Sequence, residues 1–308
     1  MPLLIDRFSK LAPDYDIVLS DVWGVIHNGV AAFPPACEAL VRFREQGGTV
    51  VLITNAPRPH DEILQQLAHL GVPEAAYDGI VTSGDVTREV IASRAGQSVF
   101  HLGPERDKPV FKGFDLRFAD ADTADYVVCS GLFDDETETP EDYRGLLEGM
   151  RSRNLLMVCG NPDRVVERGA QMIYCAGAIA DLYASIGGEV LYAGKPYRPI
   201  YDLALRAAQA VQQNEDAAQA AQQNKDAAQA AQDKSARKKD ASRVLAIGDS
   251  VRTDFMGAKL QGLDCLFVTS GIHSAELGGR DMPDVDVIRK IFAETGAVPR
   301  AATHRLAW

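Results

Sequence analysis

Ile17-Val18-Leu19-Ser20-Asp21-Val22-Trp23-Gly24-Val25 sets a carboxylate at the point where an apolar run gives way to a glycine loop. A run of this kind reads as a buried strand, and ligands of open α/β sheets gather at the carboxyl ends of the strands. An Asp at that point meets a bound group on a short, stiff side chain, which suits a nucleophile. The unusual neighbour is Trp23, two residues on.

Working outward, short β-branched runs alternate with helical patterns, the order expected of parallel βα units. The runs predict strands over Asp16 to Ser20, Thr49 to Thr54, Ser98 to Leu102, Tyr126 to Ser130, Leu155 to Cys159, Glu189 to Ala193, Arg243 to Ile247 and Asp264 to Thr269. Helices are expected between them, for example Pro34 to Gln46 and Pro59 to Leu70, the second closed by Gly71. One segment breaks the rhythm. From Ala207 the text AAQAVQQNED is followed by AAQAAQQNKD and AAQAAQDKSARKKD, an Ala/Gln insertion over 207–241. It favours helix but lacks a large apolar face, so it reads as a solvent-directed extension of the helix that begins at Arg198, with a partner-binding role as the alternative.

With 308 residues and 46% hydrophobic content, the chain can bury one large core, or a core and a second domain. A net charge of −11 argues against binding a nucleic-acid polymer, although a local pocket for one phosphate is compatible with it. Cys37, Cys129, Cys159, Cys175 and Cys265 are odd in number, without a CxxC pair, and read as reduced core thiols. The start lacks a basic, apolar leader and no stretch has the length of a membrane span, so the expected location is the cytoplasm.

Four constellations carry chemistry. The first is Asp21 with its loop. The second is Ile53-Thr54-Asn55, a strand ending in a hydroxyl and an amide that can donate to a phosphoryl oxygen, although such residues also cap helices. In the third, Gly194-Lys195-Pro196, a lysine lies just past a strand. The fourth, Gly248-Asp249-Ser250-Val251-Arg252-Thr253-Asp254, sets two carboxylates five residues apart in a loop leaving an apolar strand. Two acids flanking small residues suit hard, oxygen-seeking Mg²⁺, and a helix-capping Asp is the simpler alternative.

In this order the four motifs resemble those of the haloacid dehalogenase (HAD) superfamily over nearly the whole chain apart from the repeat. Gly177-Ala178-Ile179-Ala180, Gly194 through Tyr201, Cys159-Gly160-Asn161-Pro162-Asp163, and the ending Gly257 to Gly271 resemble its class IIA branch, which includes the NagD-type, 4-nitrophenyl and pyridoxal phosphate phosphatases. The resemblance implies an α/β fold: a Rossmann-like core with a parallel sheet over 1–82 and 189–308, and an inserted α/β cap of the C2 type over 83–188. It further implies a Mg²⁺-dependent phosphatase acting on a small phosphorylated metabolite through an aspartyl phosphate, and a homodimer. Asp21 would be the nucleophile, Thr54 and Asn55 would hold the transferred group, and Lys195 would neutralise charge. Mg²⁺ would be held by Asp21, Asp249 and the backbone carbonyl of Trp23, with Asp254 in support. Asn161 and Asp163, at the exit of a cap strand, are expected to contact substrate.

HAD phosphatases usually carry a second Asp where this chain has Trp23. That Asp protonates the leaving oxygen and then activates water, which an indole cannot do. Three expectations follow: a substitute acid, for which His27 and Asp163 are the candidates; a substrate with a good leaving group; or a catalytically weak protein that binds a phospholigand or regulates. Dehalogenases of the superfamily place an aromatic residue here and work without metal, but Asp249 and Asp254 speak against that chemistry. Arg58 is a candidate for facing an anionic substrate, Gly24 and Gly29 for backbone duties, and the tail Thr303 to Trp308 is expected to dock or fray.

Overall fold

The computed structural model describes residues 2–168, 171–226, 243–272, 285–293 and 295–308. Its larger sheet has seven strands in the order Leu3–Leu4, Ala301–Thr303, Asp264–Val268, Val244–Gly248, Ile17–Ser20, Thr49–Thr54, Gly79–Thr82, all parallel. Continuous apolar strands such as Ile17–Ser20 and Thr49–Thr54 are buried throughout, as a parallel sheet covered on both faces requires. From Ile17–Ser20 the chain steps one way through Thr49–Thr54, and from Val244–Gly248 it steps the other way through Asp264–Val268. The order therefore reverses between the strands that end at Asp21 and Asp249, and a reversal of this kind opens a ligand crevice at the carboxyl ends.

A second parallel sheet, ordered Glu189–Tyr192, Leu156–Cys159, Tyr126–Cys129, Ser98–Leu102, Arg117–Phe118, forms the cap, and an antiparallel hairpin, Val165–Arg168 with Gln171–Tyr174, extends from it. Helix Ser83–Ser93 spans both units, giving Val86 to the core cluster and Ile91 to the cap cluster. The strand Glu189–Tyr192, expected in the core, pairs with Leu156–Cys159 in the cap instead. A buried strand looks alike in either sheet, so sequence placed the return crossing a few residues too early.

The tail docks, the first of its two expected outcomes, and does not fray: Ala301–Thr303 is a core strand, Leu306 is buried, and Trp308 packs edge-on against Phe8 at 5.9 Å. Ser270 N donates to His304 O at 3.0 Å, so the tail braces a loop beside the crevice. The helix at Arg198 runs to Asp226, seating Ile200, Tyr201, Ala204 and Ala208 against the core, and the rest of the Ala/Gln insertion lies outside the described residues. All five cysteines are buried and no disulfide joins them. Among the described residues no helix is long and apolar enough to cross a membrane.

Candidate active site

Asp21, Thr54, Lys195, Asp249 and Asp254, scattered along the chain, meet at the crevice. Each is at least nine-tenths buried. Asp21 follows its strand directly, with its N–H donating to Ile247 O at 2.8 Å across the strand boundary. Lys195 Nζ lies 2.5 Å from Asp21 Oδ1 and 2.6 Å from Asp254 Oδ1, bridging the first motif to the fourth. Asp254 is carried on a single π-helical turn, Val251–Phe255, and its Oδ2 accepts from Ser250 N at 3.1 Å. Such turns widen a helix by one residue and recur at functional sites.

Asp249 is hemmed in by glycine. A Cβ on Gly24 would fall 2.2 Å from Asp249 Oδ2 and one on Gly271 only 1.8 Å from it, and Gly24 also holds a φ of +81°. No other residue fits at either place without moving the carboxylate. Asp249 Oδ2 accepts from Ile272 N at 2.7 Å.

Three carboxylates and one ammonium leave this buried space short of positive charge. Burial, and then the charge of Asp254, push the Asp21 carboxyl well above the usual range despite Lys195. The same two causes push Asp249 up to about 7. Burial alone would draw Lys195 down, but Asp21 and Asp254 more than reverse that, and its ammonium stays charged. Ligand oxygens of Asp21, Asp249 and Asp254 lie within 4.8 Å of one another, the one such acidic group among the described residues. An all-oxygen donor set with surplus negative charge fits a hard divalent cation.

The motif residues line a cavity of about 290 Å³, closed on the cap side by Asp163, Val165 and Val166. A second chamber of about 430 Å³ adjoins it, lined by Arg58, Arg106, Asp107, Ser130 and Asn161 among others. The wall common to both consists of Trp23, Thr54, Asp163 and Val166. Sequence reasoning missed the cap's share of this chamber, because Arg106, Asp107 and Ser130 reach it through tertiary packing and carry no local signal. The hairpin valines are a partial exception, since Val165-Val166 is a β-branched pair.

Thr54 Oγ1 accepts from Ala56 N at 3.3 Å, which leaves its hydroxyl proton for a ligand. Asn55 departs from expectation. Its Oδ1 accepts from Lys195 N at 2.7 Å, while its Nδ2 donates to Asp163 Oδ1 at 3.0 Å and to Lys195 O at 3.2 Å. An amide has two N–H donors, and both are engaged, so Asn55 fixes Lys195 and Asp163 and does not offer its side chain to a phosphoryl oxygen. Asn161 Oδ1 accepts from Asp163 N at 3.0 Å, so it too shapes the Asp163 turn.

Trp23 is 37% exposed, and its indole lies over Gly29, where a Cβ would come within 2.3 Å of Cη2. His27 meets the indole edge-on at 5.3 Å. It is buried, its Nδ1 accepts from Gly29 N at 3.0 Å, and burial lowers its pKa to about 4. A ring held neutral, with one nitrogen engaged and no place on the first cavity, is poorly set to act as the acid. Arg58 is half-buried and donates to Gln66 Oε1 at 2.7 Å.

Comparison with known proteins accords with this geometry. Residues 18–117 match the family model for haloacid dehalogenase-like hydrolases, and residues 192–292 match a second, HAD-hydrolase-like model. No curated protein sequence matches the chain. Among solved structures, a haloacid dehalogenase-like hydrolase from Brucella suis is 44% identical, with 99% of this chain and 100% of that one covered and a TM-score of 0.80. A possible sugar phosphatase from Cytophaga hutchinsonii is 20% identical, covering 98% of each chain at a TM-score of 0.71. A glycerol phosphate phosphatase from Mycobacterium tuberculosis, solved with calcium, is 22% identical, covering 96% of this chain and 74% of that one at 0.63.

Proposed function

The chain belongs to the haloacid dehalogenase-like hydrolase family, and from that premise we propose that it is a phosphatase of the class IIA kind, hydrolysing a small phosphorylated metabolite through an aspartyl phosphate on Asp21. The observation that carries the reading is the Lys195 bridge between Asp21 and Asp254 beside a third buried carboxylate and the Thr54 hydroxyl. Asp21 Oδ1 is tied to Lys195, and no hydrogen bond from the described residues occupies Oδ2, the oxygen assigned to attack phosphorus. As that bond forms, the bond from phosphorus to the leaving oxygen breaks. Water then attacks phosphorus and returns Asp21 to a carboxylate.

A carboxylate and a phosphate dianion repel each other, so attack needs positive charge in place beforehand. Lys195 supplies one part. Asp21, Asp249, the backbone carbonyl of Trp23 and, in support, Asp254 would hold Mg²⁺, which would supply the other part by drawing charge from the phosphoryl oxygens. Thr54 would donate to one of those oxygens. The cap wall excludes bulk water and selects the leaving group through the second chamber. The buried thiols suit the cytoplasm, and a homodimer is proposed from the family resemblance.

Phosphate release from an ester panel by wild type and Asp21→Asn tests the reading; equal release by the two proteins would remove Asp21 as nucleophile. The half-exposed Trp23 on the cavity wall supports one rival, a phospholigand-binding protein of the same fold. Mg²⁺-dependent ligand binding without turnover of any ester would favour that rival.

A further inference from the structure

On the phosphatase reading, one task has no owner: the leaving oxygen needs a proton, and position 23 holds an indole. Attack by Asp21 expels the leaving group on the far side of phosphorus. With the phosphoryl group in the cavity of Asp21, the leaving group extends into the adjoining chamber, and its oxygen crosses the wall made by Trp23, Thr54, Asp163 and Val166. Of these four, Asp163 alone carries an acidic group, a carboxyl, able to give and take a proton. It is also the one carboxylate, among the described residues, that lines both spaces.

We propose that Asp163 is the acid that protonates the leaving oxygen and the base that then activates water, taking over from the cap side the role left open at position 23.

Its setting fits the task. Asn55 Nδ2 donates to Oδ1 at 3.0 Å and Asn161 Oδ1 takes the Asp163 N–H at 3.0 Å, which fixes the side chain at its root and at one oxygen. Oδ2 makes no hydrogen bond to the described residues. Asn55 also accepts from the Lys195 N–H, so acid and nucleophile are registered through one amide: Asp163 to Asn55, Asn55 to Lys195, Lys195 to Asp21. Burial raises the carboxyl above its ordinary range against the pull of Lys195, which keeps a proton available at higher pH. His27, the other candidate, lines only the second chamber, with Nδ1 engaged by Gly29.

The protons balance. Asp163 gives its proton to the oxygen that departs from phosphorus and becomes a carboxylate. Water enters the vacated chamber, returns a proton to Asp163 and forms the new bond to phosphorus as the bond to Asp21 breaks.

The test compares wild type with Asp163→Asn, which keeps an acceptor for Asn55, on a simple alkyl phosphate and on 4-nitrophenyl phosphate, whose leaving group needs no acid. The alkyl ester should lose about 10² to 10⁴ in kcat/KM and the aryl ester tenfold or less. Nitrophenol should appear in a burst as the aspartyl phosphate accumulates. Trp23→Asp in the Asp163→Asn background should restore kcat/KM on the alkyl ester. Equal losses on both esters, or a failed rescue, would overturn the assignment. No release from either ester by wild type would instead sink the phosphatase reading beneath it.

Discussion

Lys195 and Asp254 meet at 2.6 Å with each side chain only 2% exposed, which makes their ion pair the most deeply enclosed of those at the crevice. Asp21 shares the same ammonium at 2.5 Å. Burying an ion pair gains little by itself, but removing one partner leaves the other charge without compensation. Lys195→Met should therefore destabilise the fold by about 3–5 kcal/mol. The deficit should narrow when Mg²⁺ is added, since a divalent cation supplies the missing charge. Urea denaturation of both proteins with and without Mg²⁺ measures this, and a variant as stable as wild type in metal-free buffer would contradict it.

Gly271→Ala addresses the metal site from behind. Its new Cβ would lie 1.8 Å from Asp249 Oδ2, so the carboxylate must turn away from its present place. The Mg²⁺ concentration for half-maximal activity should rise at least about tenfold, which corresponds to about 1.4 kcal/mol of lost binding. Chelation should abolish wild-type hydrolysis and Mg²⁺ should restore it. An unchanged Mg²⁺ titration in the variant would show that Asp249 is not a ligand.

His27 predicts a pH signature in stability. Its folded pKa of about 4 lies below the ordinary 6.5, because burial disfavours the imidazolium. Above pH 6.5 neither state binds the proton and nothing is lost. As pH falls from 6.5 toward 4 the unfolded chain binds a proton that the folded one refuses, so stability drops, by about 3 kcal/mol at the limit. Below about 4 the contribution levels off. His27→Asn should flatten the slope over that interval in denaturation midpoints taken from pH 7 to 4.

Arg58 lines the second chamber and donates to the neutral amide of Gln66; it makes no ion pair with the described residues, although its charge reaches the Asp107 carboxyl across the chamber. A half-buried guanidinium of this kind is a ready partner for an anion. Arg58→Gln should raise KM for esters whose leaving group carries a carboxylate by about 10- to 100-fold, the equivalent of one charged hydrogen bond. Neutral alkyl esters should change little. Parallel KM measurements on the two ester types decide it.

Much of this was legible in the sequence because strand-end chemistry is local. Thr49–Thr54 and Ser98–Leu102 begin and end where their apolar runs do. Asp21, Thr54 and Asp249 converge because each stands at or just beyond a strand of the one core sheet, and parallel strands bring their carboxyl ends to one side; Asp254 follows on the turn after Asp249, and Lys195 enters from the cap strand Glu189–Tyr192. What escaped depends on contacts between distant segments. Asn55 looks like a phosphoryl donor until Lys195 and Asp163 are seen to occupy its amide. Ala301–Thr303 carries no strand signal of its own until it pairs beside Asp264–Val268. Glu189–Tyr192 carries no mark of which sheet it will join.

The register of Val244–Gly248 against Ile17–Ser20 also has a bearing on how the chain is made. The strand that presents Asp21 is synthesised early, and its neighbour on one side emerges only after most of the chain. The cap strands, by contrast, follow one another closely, so their loops close at low entropic cost. The cap is thus expected to settle first, while the flank of Ile17–Ser20 waits with its N–H and C=O groups unpaired, the condition under which nascent sheets aggregate. A chain stopped before residue 244 should precipitate where the full chain folds.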